Sequence, residues 1–299
     1  MNQIPKKAYK LAAFATAVTC VVVALGAFTR LVDAGLGCPD WPGCYGHLVW
    51  PSTTEEIQQA EKAFPDAPVE SDKTWPEMVH RYFASSLGLL IIGICYLCWR
   101  ARKEGAEEQP IKLPFFLLGL VILQGLFGMW TVTLKLWPQV VTAHLLGGFA
   151  TLSCLWLLTQ RLAGFSWRLP EANLGKVLKL KSLALTALFV LVLQIALGGW
   201  TSSNYAALAC LDLPTCHGEW LPETDFATGF NISQAIGPNY LGGLMDNDAR
   251  TAIHLSHRIG AIVVTLMLLF MAWRLFRIPL VETRRMAGIL VAFLALQVG

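Results

Sequence analysis

Stretches of roughly 20 mostly apolar residues, near 9–31, 77–99, 112–133, 139–160, 180–201 and 251–273, leave this chain few folds to choose from. Segments of that length and apolarity cross the ~30 Å hydrocarbon layer as helices, because in lipid each backbone N–H and C=O must find its partner inside the segment. A further run begins near 286 and is still continuing at Gly299. Only 14% of the 299 residues are charged and mean hydropathy is +0.52, too few charges to cover a soluble globule of this size. The first run follows Lys6, Lys7 and Lys10, but its apolar stretch exceeds the ~7–15 residues of a secretory signal core, so it is expected to stay as a helix. The fold class is all-α, a polytopic membrane protein.

Most of the 23 Lys and Arg fall in the N-terminal tail and in the connections around 100–112, 161–181 and 274–285. Most of the 20 acidic residues fall in two long loops at about 32–76 and 202–250. Cytoplasmic loops collect cations, so the N-terminus is expected inside and the two long loops outside. No acidic-poor transit segment precedes the first helix, which favours a bacterial cytoplasmic (inner) membrane over an organelle. The net charge of +3 is then a consequence of topology. It gives no reason to expect a nucleic acid; the expected surroundings are membrane lipid.

The two outer loops are copies of one another. LGAFTRLVDAGLGCPDWPGCYGHLVWP at 25–51 finds its counterpart in LGGWTSSNYAALACLDLPTCHGEWLP at 197–222, and Cys210 and Cys216 stand at the same offset from Cys38 and Cys44. After each loop comes a helix with a His-Arg pair, His80-Arg81 and His257-Arg258. The halves therefore read as parallel duplicates: 1–165 and 166–299, each a four-helix bundle, with eight helices expected, the seventh cut short at Gly299 and the eighth absent from the chain. Three outward-running helices end with a Gly, two residues and a Thr: Gly26 and Thr29, Gly128 and Thr131, Gly198 and Thr201. Gln124 and Gln194 stand four residues before the second and third of these glycines. The pattern is expected to serve close helix approach, with Phe28, Trp130 and Trp200 at the membrane interface.

On the oxidising side of the membrane the pairs Cys38 with Cys44 and Cys210 with Cys216 are expected to form local disulfides, either as loop staples or as redox couples. Zinc on Cys210, Cys216 and His217 lacks a fourth ligand by spacing. His80 and His144 lie at similar depth, counted from Pro76 and Pro138, and two such histidines facing one another can supply both axial ligands of a haem; the plain alternative is a hydrogen bond to a neighbouring helix. Arg81 and Arg258 sit near helix N-termini, where the dipole disfavours a cation, and so need a partner; haem propionates are one candidate and lipid headgroups another. Three residues before the His-Arg pair stands Glu77 in the first half and His254 in the second. A carboxylate on the ligand face of one helix suggests proton-coupled chemistry in the first half and electron transfer in the second, although an acid favoured by the helix dipole explains Glu77 as well. Cys20, Cys95, Cys98 and Cys154 read as small core residues.

Taken together, the motifs GCPDWPGC and ACLDLPTC, Glu77 with His80 and Arg81, the lone His144 and the second His-Arg pair resemble the haem A synthase family, membrane oxidoreductases that convert haem O to haem A for terminal oxidases. The resemblance implies that His80 and His144 hold the substrate haem O, that Arg81 and Arg258 anchor propionates, and that Glu77 accepts a proton or activates water beside the reacting methyl. It implies a haem b cofactor on His257 and on a histidine of the last helix, which has no counterpart before Gly299; His254 cannot replace it, since ligands three residues apart cannot reach opposite faces of a porphyrin. Haem O synthase as the supplier of substrate, an unidentified electron acceptor and a possible homo-oligomer complete the expected partners. The rivals are a di-haem b-type electron-transfer protein, which needs no difference between Glu77 and His254, and a membrane thiol oxidase, which leaves the histidines without a role.

Overall fold

The computed structural model describes residues 3–166 and 169–298. The helices are α1 (Gln3–Leu31), α2 (Thr54–Ala63), α3 (Ser71–Lys103), α4 (Lys112–Thr133), α5 (Pro138–Leu162), α6 (Glu171–Leu178), α7 (Lys181–Ser203), α8 (Phe226–Gly229), α9 (Asn247–Phe276) and α10 (Val281–Val298). Among the described residues there are no strands, only single bridges in the two disulfide-bearing loops. By length and composition α1, α3, α4, α5, α7 and α9 can cross a membrane, so the protein is all-α and polytopic, as its hydropathy requires.

By contacts the chain divides into two units, Met1–Ser166 with Gln234–Gly242, and Trp167–Ser233 with Gly243–Gly299. In the first, α1 packs on α3 and α5, and α4 packs on the same two, which leaves α3 and α5 diagonal in a four-helix bundle. The bundle closes on small residues. Ala8, Ala12 and Ala15 are wholly buried and Thr19 is 2% exposed, and their spacing places them on one face of α1. Thr16 Oγ1 lies 3.1 Å from Thr159 Oγ1, joining α1 to α5 where water is absent. Leu87, Ile91, Ile94, Leu117, Leu155 and Leu158 fill the interior, while Leu89, Ile92, Phe116 and Ile122 point outward, as a lipid-facing surface demands. Tyr240 and Gln234 lie against the α4–α5 turn: the Tyr240 N–H donates to the Lys135 carbonyl and Trp137 Nε1 to the Gln234 carbonyl.

In the second unit α9 packs against α7, α8 and α10. Trp200 was expected at the interface, but it is buried, its indole Nε1 donating to the Gly229 carbonyl at 2.8 Å. An indole can anchor in either place, and α8 in the loop supplies a carbonyl that the local sequence does not reveal. Helix α3 starts at Ser71, before the apolar run, and has Pro76 inside it. Pro76 has no N–H to give the Asp72 carbonyl, which lies in the exposed first turn of the helix. At 33 residues, about 50 Å at 1.5 Å per residue, α3 is longer than the hydrocarbon layer is thick and carries its polar first turns into the loop that precedes it.

That loop is well ordered by its own chemistry. Thr53 and Glu56 form a reciprocal capping box on α2, and the N–H groups of Ser52 and Thr53 bound to Glu56 hold its carboxyl down at about 2. Tyr45 is 4% exposed, packs edge-on against Phe64 and donates its hydroxyl to the Pro68 carbonyl. Burial pushes its phenol up to about 12, with Glu70 and other acids adding to the shift. A raised phenol stabilises the fold below the ordinary value near 10 and loses that contribution as pH climbs through about 12. Difference absorbance titration against Tyr45→Phe is expected to show one phenolate forming near pH 12; a phenolate forming near 10 would show that Tyr45 is not buried in solution.

Candidate functional site

Each Cys pair is a disulfide, Cys38–Cys44 and Cys210–Cys216. Those four sulfurs are therefore not free to hold a metal, and no group of three His, Cys, Asp or Glu suited to one exists among the described residues. Both loops are built alike. Asp40 accepts from the N–H groups of Tyr45 (2.6 Å) and Gly46 (2.8 Å), and Asp212 from those of His217 (2.8 Å) and Gly218 (2.9 Å). Tyr45 and His217 hold φ of 54° and 57°, a left-handed conformation that these aspartates support. The N–H donors hold the Asp212 carboxyl well below the usual carboxylate range, after the larger effect of the Thr215 hydroxyl. The signal for Asp40 and Asp212 was present in the sequence as an Asp, one residue, then Pro inside both Cys motifs, but it was not singled out.

The arginines clamp these loops. Arg81 pairs with Glu77 and donates to the carbonyls of Asp40 (2.9 Å), Pro42 and Gly43. Arg258 donates to Thr215 O (3.0 Å) and Cys210 O (2.9 Å). The partners that the helix dipole made necessary are thus found within the protein, so the need for a cation partner no longer argues by itself for a propionate. Glu77 is 5% exposed, and its other carboxylate oxygen accepts from the Cys38 N–H at 2.9 Å. Its place in the second half is taken by His254, whose Nδ1 donates to the Ala206 carbonyl at 2.8 Å. The two positions differ in chemistry but both tie a spanning helix to its loop.

His80 on α3 and His144 on α5 occupy the diagonal helices of the first bundle, and His144 lies within electrostatic range of His80. Both rings are half-buried. Nδ1 of His144 and Nε2 of Gln124 are buried without a partner, so polar atoms converge here that the protein alone does not satisfy. The Gly-to-Thr pattern gains a specific meaning. A Cβ on Gly26 would stand 3.0 Å from His80 Cε1, one on Gly128 3.6 Å from His144 Cε1, and one on Gly198 3.2 Å from His257 Cε1. In each case the glycine faces an imidazole of the next spanning helix, and at Gly26 and Gly198 a Cβ would press on the ring. Close approach was legible in the sequence; that its object is a ring in every case was not. Gly26→Ala is therefore expected to displace His80 and shift any spectrum that depends on it, while Gly128→Ala, an ordinary contact, leaves His144 in place. Equal effects of the two would contradict the seating.

His257 has its Nδ1 3.0 Å from the Gln194 amide and its ring half-buried above Gly198. His254 is engaged with Ala206, and His47 and His217 are exposed in the disulfide-bearing loops, so no histidine opposes His257 among the described residues.

Fold and site together define a polytopic helical membrane protein with histidines set across a bundle and two long loops stapled by disulfides. The family model described as cytochrome oxidase assembly protein matches residues 9–299. The Heme A synthase of Shewanella oneidensis is 48% identical over 281 residues, covering 94% of this chain and 82% of that protein. Those of Shouchella clausii (25% identical; 83% of this chain and 69% of that protein) and Flavobacterium johnsoniae (26%; 88% and 78%) are more distant. The chain belongs to the haem A synthase family of cytochrome oxidase assembly proteins.

Proposed function

We propose that this chain oxidises a methyl group of haem O to the formyl group of haem A, with His80 and His144 gripping the substrate iron from diagonal helices. The observation that carries the reading is that diagonal pair with a carboxylate three residues from His80, in a chain 48% identical to a protein named for this activity. The oxidation runs through the alcohol level in two stages. Each removes two electrons and two protons, and water supplies the oxygen of the first. Glu77, held by Arg81 and by the Cys38 N–H, accepts a proton beside the methyl. Arg81 keeps Glu77 and the loop in place, and any propionate contact is added to those bonds. His257 would be one of the residues to hold a haem b, which when bound would supply redox chemistry for passing those electrons to an acceptor outside the chain. In the membrane the N-terminus lies in the cytoplasm of a bacterium and the disulfide loops face outward; haem O comes from the haem O synthase that makes it.

Chromatography of haems from cells supplied with haem O, with and without the chain, is the direct test. Haem A or its alcohol precursor should appear only with the chain. Folded, membrane-inserted protein that yields neither overturns the assignment.

A further inference from the structure

The glutamine four residues before the seating glycine has no part in the reading above. Gln194 on α7 reaches across to α9, where its Nε2 lies 3.0 Å from both Nδ1 and the main-chain carbonyl of His257. Its Oε1 is buried and meets no partner. The amide fits because the residue three beyond His257 is Gly260, where a Cβ would collide with Gln194 Oε1. The spacing recurs in the first unit without the hydrogen bond: Gln124, four before Gly128, overlaps the space that a Cβ would take on Gly147, three beyond His144, but its Nε2 and His144 Nδ1 are not bonded. The pair α1 and α3 lacks it, since Val22 stands four before Gly26 and Phe83 three beyond His80. A glutamine is thus matched to two of the three seated histidines, each time over a glycine.

An amide can serve either tautomer of an imidazole. As it stands, Gln194 donates to Nδ1, which places the ring proton on Nε2. Iron ligation through Nε2 requires the reverse, with the proton on Nδ1 and an acceptor facing it. The buried, unpartnered Oε1 becomes that acceptor once the amide turns over, a turn that gives up the Nε2 bond to the His257 carbonyl in exchange for one from Nδ1–H. We infer that Gln194 is a positioning residue that fixes the ring orientation of His257 and, by turning its amide, selects the Nδ1–H tautomer that frees Nε2 for iron. The inference rests on His257 being a haem ligand, as proposed above.

The test uses the whole chain in detergent, with histidine labelled at its nitrogens and haem b as the added probe. Without haem, the nitrogen spectrum of His257 should show a hydrogen-bonded acceptor at Nδ1. Gln194→Leu should abolish that signal, and Gly260→Ala should do so without altering the glutamine, by displacing its amide. With haem b, Gln194→Leu should weaken binding about 10- to 100-fold, the usual cost of losing a partner of a metal-binding histidine. Gln194→Glu, which can only accept, should keep the haem and lower its midpoint potential. Unchanged nitrogen signals, or a midpoint potential that neither Leu nor Glu moves, would overturn the inference. His257→Ala retaining haem b with an unaltered spectrum, or a wild-type chain that takes up no haem b, would instead overturn the ligand assignment beneath it.

Discussion

Glu77→Gln should leave the protein folded with haem O bound and reduce haem A formation by about 10²- to 10⁴-fold, the usual range for removing a positioned proton acceptor. The amide is nearly the shape of the carboxylate. Its oxygen still accepts the Cys38 N–H, and Arg81 keeps its three loop carbonyls. What is lost is the negative charge paired with Arg81 and the capacity to take a proton. Glu77→Ala makes an instructive contrast, because it also strands the Cys38 N–H and costs about 1–3 kcal/mol of stability around the loop. Thermal melts should separate the two variants, while the haems extracted from them should both lack haem A. A Gln variant producing haem A within a factor of about two of wild type would remove Glu77 from the chemistry and leave it as the tie between α3 and the disulfide loop.

The second large effect is expected at the diagonal histidines. His80→Ala or His144→Ala removes one of two axial ligands, so haem O bound by either variant should pass from a six-coordinate, low-spin spectrum to a five-coordinate, high-spin one. His47→Ala is the control: its side chain is exposed in the outer loop, and only its main chain bonds to Cys44. A low-spin spectrum that survives in both diagonal variants would place the substrate elsewhere. The glycine seats make the same point by a gentler route, since Gly26→Ala moves a ring without deleting it.

The spanning helices follow the apolar runs to within a few residues at most ends, because in lipid length and hydropathy leave one solution. Where the helices extend beyond those runs, the reason lies in the loops. The first turns of α3 are polar and stand outside the apolar run, and Pro76 inside them reads from sequence as a helix start. The short helix α6 falls in a connection too polar and brief to show a period. Arg81 and Arg258 were legible as cations in need of partners. That the partners are carbonyls of the stapled loop depends on turn geometry set by Asp40 and Asp212.

By itself, then, the sequence determined the all-helical membrane fold, the two similar Cys-bearing loops and the helices that carry His80 and His144, because hydropathy, spacing and repetition are properties read along one chain. The tertiary structure alone decided which atoms meet: the imidazoles on Gly26, Gly128 and Gly198, Glu77 on the Cys38 N–H, and Gln194 on His257. Those meetings depend on how each helix is rotated and how closely it approaches its neighbour. Rotation and approach are set by packing between residues far apart in the chain, such as Ala12 and Thr16 of α1 and Thr159 of α5, and no local pattern encodes them.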